Sequence, residues 1–237
     1  MRFHWRQLAT AAVLSCAPAQ LLAADKIHVP ASFGYPSPLR AVRAIIAPAA
    51  GPNILGTTAL PIRAARFSVN AQHAFADASS SPLMQQLIAP ARGMNRFQQM
   101  AFIQSRVTRN IRWMSDATEY GMHDYWATAS ETLNHGVGDE EDRAILKLQA
   151  LKALGFNQTD LFLTLARDRV GGPITVLTTR LNGRYYVLDD TGGTPFPVEQ
   201  RRLEFQPVLS FGWNGAWVHS RPTGAPVVAA ASLMGRK

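Results

Sequence analysis

The feature that most constrains this chain is a glycine turn followed by four consecutive acidic residues. Gly136 and Gly138 predict the turn, and Asp139 is a residue type preferred at a helix N-cap. The acidic residues at 140–142 then fall in a first helical turn, where the helix dipole favours negative charge. Gly155 suits the position just after a helix end. These signals predict one well-delimited helix between Asp139 and Gly155.

This helix has an apolar stripe that calls for burial. Ala144, Ile145, Leu148 and Leu151 recur at helical spacing, while Lys147 and Lys152 are predicted on the outer side. A buried helix entered through a glycine loop often presents a chemical group at its N-terminus. The acidic residues at its start are therefore the first candidates for function.

The remaining periodicity places helices first and strands afterwards. Helices are predicted over 80–88, with Ser81 as cap, and over 95–113. Strands are predicted over 161–166, 174–181, 185–188, 207–212 and 216–219, with hairpin turns at Asn182-Gly183 and Asn214-Gly215. This order predicts an α+β domain in which helices pack on an antiparallel sheet.

The segment from Asp124 to Ile145 resembles the signature of the bacterial transglutaminase-like cysteine peptidases, D-Y-W-A-x-x-x-E-T-L-x-x-G-x-G-D-C-E-D-x-A-I. The matching residues are Asp124, Tyr125, Trp126, Glu131, Thr132, Leu133, Gly136, Gly138, Asp139, Glu141, Asp142, Ala144 and Ile145. Asn110, Asp116 and Gly121 extend the resemblance upstream, and it covers about residues 65–215. It implies a papain/transglutaminase-like fold, with N-terminal helices packed on a C-terminal antiparallel β-sheet.

The same resemblance shows where the chain departs from its family. The family's nucleophilic cysteine falls at Glu140, and its histidine falls at Ile174 in the run Ile174–Thr178. The third triad position is retained as Asp189. The chain's single cysteine is Cys16. A thiol mechanism needs a thiolate and an oriented base, so the pattern indicates a pseudo-enzyme that acts by binding. A hydrolase of altered chemistry, with Glu140 as nucleophile or base and Asp189 as its partner, is the alternative.

A calcium site is a further expectation. The resemblance implies that carboxylates flanking the family cysteine bind calcium, and Asp139 and Glu141 match them. Hard oxygen ligands are what calcium requires. Acidic residues in a first helical turn also stabilise a helix without any metal. A calcium-stabilised structural module is thus a third hypothesis.

Three other groups of residues offer weaker chemistry. His135 with Glu140 could form an acid/base pair, but a loop histidine near carboxylates more often serves only as a hydrogen-bonding residue. The spacing of His123 and His135 does not indicate a zinc site. Asp189 and Asp190 are expected to cap the turn that follows them. Trp113 and Trp126 are expected in the core rather than on a ligand platform.

The chain divides into four predicted segments. Residues 1–24 have the charged start, short apolar run and small-residue sites of a signal peptide. A flexible Ala/Pro-rich leader (25–64), the peptidase-like domain (65–220) and a loose tail (221–237) follow. Lipoprotein anchoring at Cys16 is the less favoured alternative to a periplasmic or secreted location.

Charge and resemblance together indicate the class of partner. The formal net charge is +8, but no Lys/Arg cluster interleaved with aromatic residues indicates nucleic acid. The resemblance implies an envelope or surface protein as partner, including the periplasmic domain of an inner-membrane receptor.

Overall fold

The computed structural model describes residues 51–62, 68–200 and 205–220. All of them belong to one compact unit, Pro48–Lys237, and the preceding unit, Met1–Ala47, lies outside the described residues. The predicted signal peptide, Cys16, most of the predicted leader and the predicted tail also lie outside them.

Six α-helices occur in the described ranges: α1 (Ser68–Phe75), α2 (Pro82–Ile88), α3 (Arg96–Asn110), α4 (Asp116–Glu119), α5 (Ala129–His135) and α6 (Glu140–Ala153). The residues that precede α3 and α6 determine where those helices begin. Asn95 and Gln98 form a reciprocal capping box on α3, and Asp139 and Asp142 form one on α6. Gly155, with φ of 84°, ends the turn after α6 as expected.

Nine strands form two sheets in the same ranges: β1 (Thr58–Ile62), β2 (Arg112–Trp113), β3 (Val137–Gly138), β4 (Leu161–Arg167), β5 (Pro173–Leu181), β6 (Arg184–Leu188), β7 (Phe196–Pro197), β8 (Gln206–Gly212) and β9 (Gly215–Ser220). The large sheet has the order β1-β9-β8-β4-β5-β6-β7 and is antiparallel throughout. β2 and β3 form a separate parallel pair. The β5–β6 turn has positive φ at both Asn182 and Gly183, which confirms the predicted hairpin.

Helix α6 is the centre of the fold. It packs on β4 and β5 on one side and on α3 and α5 on the others. Its predicted apolar stripe is buried, but Lys147 is also buried, at 1% exposure. The prediction that Lys147 lies on the outer side is therefore wrong, because α6 is enclosed by other elements rather than lying on a surface. Lys152 follows the prediction more closely and pairs with the exposed Asp77 at 2.9 Å.

The other face of the large sheet is covered by a second apolar cluster. Its buried members are Ile54, Leu55, Val176, Val187, Phe196 and Val198. Residues 51–62 fall within the segment predicted as a flexible leader, but they supply part of this cluster and strand β1. That part of the prediction is wrong, because Ile54 and Leu55 gain burial against the sheet and β1 pairs with β9 along its whole length.

The α+β class predicted from the sequence is confirmed by these elements. Trp126 is buried in the core as expected, at 5% exposure, whereas Trp113 is 50% exposed and does not follow its prediction. None of the helices in the described ranges has the length and apolarity needed to cross a bilayer.

Candidate functional site

Two hydrogen bonds between backbone N–H groups and carboxylates fix the start of α6. Asp142 N–H donates to Asp139 Oδ1 at 3.5 Å, and Asp139 N–H donates to Asp142 Oδ2 at 3.4 Å. A Cβ on Gly138 would lie 2.8 Å from Asp142 Cβ, so this position requires glycine. The glycine of the predicted turn therefore lets the acidic side chains fold back over their own loop.

The parallel β2–β3 pair brings a distant carboxylate to this point. Met114 N–H donates to the Gly138 carbonyl at 3.2 Å, and Asp116 follows two residues later. Asp116 Oδ2 accepts a hydrogen bond from Tyr125 N–H at 2.7 Å. Asp142 Oδ1 accepts one from Ala127 N–H at 2.8 Å. The segment 113–127 is thus tied to the α6 start by its own backbone donors.

Three carboxylates meet here and form the inner carboxylate group, defined as Asp116, Asp139 and Asp142. One oxygen of each lies within 4.8 Å of the other two, and all three side chains are buried. Asp116 Oδ1 is buried and has no hydrogen-bond partner within the described part of the chain as long as the neighbouring carboxyls are ionised; a protonated Asp139 donates a hydrogen bond to the Asp116 carboxylate. Buried polar atoms almost always have partners, so an oxygen without one beside two further carboxylates is the environment that a cation would satisfy.

Burial and mutual repulsion shift the ionisation of this group. Burial raises the pKa of Asp116 above its usual range. Burial also raises the pKa of Asp142 to about 7, and the nearby Asp116 carboxyl adds to the effect. Asp139 has its pKa raised furthest, by burial and by the Glu141 and Asp142 charges. Ionising all three together is therefore unfavourable unless a positive charge is present.

A second group, the outer carboxylate group, consists of Asp139, Glu140 and Glu141. Their oxygens also lie within 4.8 Å of one another. Glu141 Oε1 accepts a hydrogen bond from Thr175 Oγ1 on β5 at 2.8 Å, and burial raises the pKa of Glu141 to about 7. Glu140, the first residue of α6, is partly exposed. Asp139 belongs to both groups and links them.

A separate polar network lies further along α6. Asp189 Oδ1 accepts from Thr191 N–H at 3.1 Å, from Thr191 Oγ1 at 2.8 Å and from Gln104 Nε2 at 3.3 Å. Lys147 Nζ donates to the Asp189 carbonyl at 2.8 Å and to Asp190 Oδ1 at 2.5 Å. The predicted capping of this turn is observed for Asp189, while Asp190 pairs with Lys147.

The sequence profile of the bacterial transglutaminase-like cysteine proteinases matches residues 54–221. The chain belongs to this family. LapG of Legionella pneumophila has a similar structure, with 25% identity and a TM-score of 0.50 over 57% of this chain and 74% of that one. An EGTA-treated form of the same LapG shares 22% identity and a TM-score of 0.50, over 67% of this chain and 87% of that one. A search of curated proteins finds no match.

Within this transglutaminase-like family, the three predicted triad positions lie in different surroundings. Glu140 stands at the α6 start. Ile174 packs against the apolar cluster on the far face of the sheet. Thr175, the next residue, is the β5 side chain that meets the α6 start, because successive strand residues point to opposite faces. Asp189 belongs to the Gln104–Thr191 network described above.

The structure thus brings the predicted calcium ligands Asp139 and Glu141 together with Glu140. It does not bring His135 to Glu140: His135 Nδ1 lies 2.7 Å from Glu119 Oε1 and 3.4 Å from the Tyr120 hydroxyl. His135 therefore has the hydrogen-bonding role that a loop histidine near carboxylates more often has, and its Nδ1 contacts Glu119 rather than Glu140.

Sequence reasoning missed Asp116 and Thr175 as members of the site. Asp116 matches the family pattern but is 23 residues before Asp139, and only the β2–β3 pairing shows that the two meet. The two-residue period of a β-strand could have indicated that Thr175 belongs to the site, because Thr175 and Ile174 necessarily point to opposite faces of the sheet.

Proposed function

We propose that the protein is an exported member of the transglutaminase-like peptidase family that has lost proteolysis and acts by binding an envelope protein or receptor. The observation that carries the proposal is the side chain at the start of α6, which is Glu140. The only cysteine of the chain, Cys16, is in the N-terminal segment predicted to direct export. A carboxylate cannot replace a thiolate in the family's reaction without a different mechanism.

The residues around Glu140 support the proposed loss of proteolytic activity. The β5 side chain that meets the α6 start is Thr175, whose hydroxyl cannot act as a base at neutral pH. Two of the histidines in the described ranges bond elsewhere: His73 Nδ1 lies 2.9 Å from the Trp126 carbonyl, and His219 contacts Ser210 and Thr57. Asp189 retains a place in the fold by holding its own turn.

We also propose that the carboxylate groups hold calcium. Asp116, Asp139 and Asp142 would supply inner oxygens, and Glu141 and Glu140 are placed beside them. A bound divalent cation would neutralise the site and fix segment 113–127 against α6. LapG of Legionella pneumophila has been solved in EGTA-treated and calcium-bound forms. The proposal for this chain rests on its own carboxylates and on the Asp116 oxygen that, among the described residues, has no partner while those carboxylates are ionised.

An exposed apolar surface beside this centre supports a protein partner. Trp113 is 50% exposed and Met122 is 52% exposed. Trp113 pairs directly with Gly138 in the β2–β3 sheet, so it lies next to the loop that carries Asp139. Exposed aromatic side chains of this kind are typical anchors of protein interfaces.

The first test is proteolysis. Purified protein is incubated with casein and with bacterial envelope proteins, in calcium and in chelator, and fragments are followed by electrophoresis. We expect no cleavage. Cleavage that disappears in Glu140→Ala would refute the proposal and support the hydrolase of altered chemistry, in which Glu140 is the nucleophile or base and Asp189 is its partner.

The second test is binding. The candidate partner, the periplasmic domain of an inner-membrane receptor, is titrated by calorimetry against wild type, Trp113→Ala and Leu60→Ala. Leu60 is 45% exposed on edge strand β1 and serves as the matched control. We expect Trp113→Ala to weaken binding about tenfold or more, as a lost aromatic anchor does, and Leu60→Ala to have no effect. Equal effects of the two substitutions would remove Trp113 from the interface.

A further inference from the structure

A cavity of about 260 Å³ lies at the far face of the large sheet, where the β5–β6 and β8–β9 hairpins meet the start of β4. Its lining residues are Gly51, Gln158, Thr159, Phe162, Arg180, Tyr185, Gly212, Trp213, Asn214 and Trp217. We call it the aromatic cavity. It does not contain any of the carboxylates of the inner and outer groups, and the proposed loss of proteolysis gives it no role.

Four aromatic side chains form its walls. The Phe162 ring lies 5.8 Å from the Trp217 ring and 6.4 Å from the Tyr185 ring, measured between centroids. Trp213 is held in place by Phe75, whose ring centroid lies 4.7 Å away. Because these rings are fixed by packing, they offer a rigid apolar surface at little entropic cost to a ligand.

Two glycines allow the backbone to approach these rings. A Cβ on Gly51 would lie 2.4 Å from Trp217 Cδ1, and one on Gly212 would lie 3.1 Å from Phe162 Cδ1. Side chains at these two positions would press on the aromatic walls. The small residues therefore keep the shape of the cavity.

The charge of the cavity is balanced. Among the described residues that line it, the cation is Arg180, whose Nε donates to Asp160 Oδ1 at 2.7 Å and whose NH2 lies 2.7 Å from the same oxygen. Lys152 Nζ lies 5.7 Å from the Trp213 ring centroid and is paired with Asp77 at 2.9 Å. A carboxylate or phosphate ligand would have to compete with Asp160, and a cationic ligand would face the guanidinium. The other polar lining groups are uncharged: the Tyr185 hydroxyl and the side chains of Gln158, Thr159 and Asn214, the last three of which are exposed at the rim.

This combination specifies a chemical class. The ligand must be neutral, with an apolar face for the rings and hydroxyl groups for the amide and hydroxyl side chains at the rim. A cavity slightly below the usual lower size of ligand pockets, about 300 Å³, suits one ring rather than an extended chain. We propose that the aromatic cavity binds a single neutral hexopyranose unit, either as a free sugar or as the end of a glycan.

The test uses saturation-transfer difference NMR on the full chain, with glucose, N-acetylglucosamine and the disaccharide chitobiose as neutral ligands. Glucuronate is the charged control. We expect saturable transfer to the neutral sugars, strongest at the ring C–H protons, and binding of glucuronate about tenfold weaker than that of glucose. Equal binding of a monosaccharide and of chitobiose indicates a free-sugar site, and tighter binding of chitobiose indicates a glycan end.

Two sets of variants locate the site. Trp213→Ala should weaken sugar binding about tenfold, whereas Phe97→Ala, at an exposed aromatic residue outside the cavity, should not change it. If Trp213→Ala does not fold, judged by circular dichroism, the double variant Gln158→Ala/Asn214→Ala alters only exposed rim groups and should weaken binding severalfold. No saturable transfer in wild type, tighter binding of glucuronate than of glucose, or undiminished binding in the cavity variants would overturn the proposal.

Discussion

The substitution Asp116→Asn tests the carboxylate centre most sharply, because it is expected to act in opposite directions with and without calcium. Asparagine has nearly the same shape, and its carbonyl oxygen can still accept the hydrogen bond from Tyr125 N–H. The change therefore removes one buried charge from the inner carboxylate group and leaves the packing intact.

The distance between the carboxylates sets the size of the expected change in the free energy of unfolding. Two unit charges 4.8 Å apart repel by about 3 kcal/mol at an effective dielectric constant of about 20. The raised pKa values of Asp139 and Asp142 show that protonation already relieves part of this repulsion near neutral pH. We expect Asp116→Asn to raise the free energy of unfolding by about 1–2 kcal/mol at pH 8 in chelator. For a domain of this size the melting temperature would rise by about 3–6 °C.

In calcium the order should reverse. A cation at about 100 times its dissociation constant stabilises the wild type by about 2.7 kcal/mol, or about 5–10 °C. Asp116→Asn loses a charged ligand and should show less than a quarter of that shift, so the wild type becomes the more stable of the two. The assay is thermal unfolding by circular dichroism at pH 8, with EGTA or with calcium, and Glu199→Gln is the exposed control. A variant that melts lower than wild type in EGTA, or that keeps the full calcium shift, would refute the reasoning.

Three further predictions concern pH, the central helix and the position of the family cysteine. Burial raises the folded-state pKa of Asp142 and Glu141 to about 7, so between about pH 4 and 7 the folded chain binds more protons than the unfolded chain. The free energy of unfolding in chelator should therefore fall as pH rises through this window, and saturating calcium should abolish the fall; urea titrations at four pH values measure both. Lys147→Met should lower the free energy of unfolding by about 1–3 kcal/mol, because Asp190 loses its buried partner Lys147 but keeps Arg143 NH1 at 3.2 Å, whereas Lys152→Met on the same helix should cost less than about 1 kcal/mol; urea unfolding compares them. Glu140→Cys should fold with a loss of about 0.3–1 kcal/mol, the contribution of one acidic residue to a helix N-terminus, and should retain the calcium shift; unfolding at a lower temperature by more than about 5 °C would show that Glu140 has become part of the structure.

The sequence predicted elements whose determinants are local. The Asp139 cap, the Gly155 stop and the Asn182-Gly183 hairpin each depend on a few neighbouring residues, and all three are observed. The α+β class follows from the order of such elements. Local chemistry, such as side-chain capping and positive φ, acts within about one helical turn, so a single sequence is enough to reveal it.

The errors arise where distant segments meet. The periodic pattern predicts Lys147 on the outer side because it shows which side of a helix is apolar, not how many neighbours enclose the helix. Its charge is compensated by Asp190, which is 43 residues away. Residues 51–62 were assigned to a leader because their proline and glycine content hides a strand that is specified by β9. Asp116 was missed because no local signal shows that β2 and β3 are paired.

The energetics of the α6 start argue against a purely structural role for its acidic residues. A helix cap needs one carboxylate, and Asp139 provides it. Asp116 adds a third buried carboxyl to those of Asp139 and Asp142, and its charge raises the pKa of both. Each such contact is unfavourable in the metal-free chain, since the ionised forms repel and the protonated forms must be kept at pH values where carboxyls normally ionise. A divalent cation bound between the carboxylates would make these contacts favourable, because the ionised oxygens would then be attracted to the cation that they share as ligands. The arrangement therefore supports the proposal that the carboxylates at the α6 start bind a divalent cation.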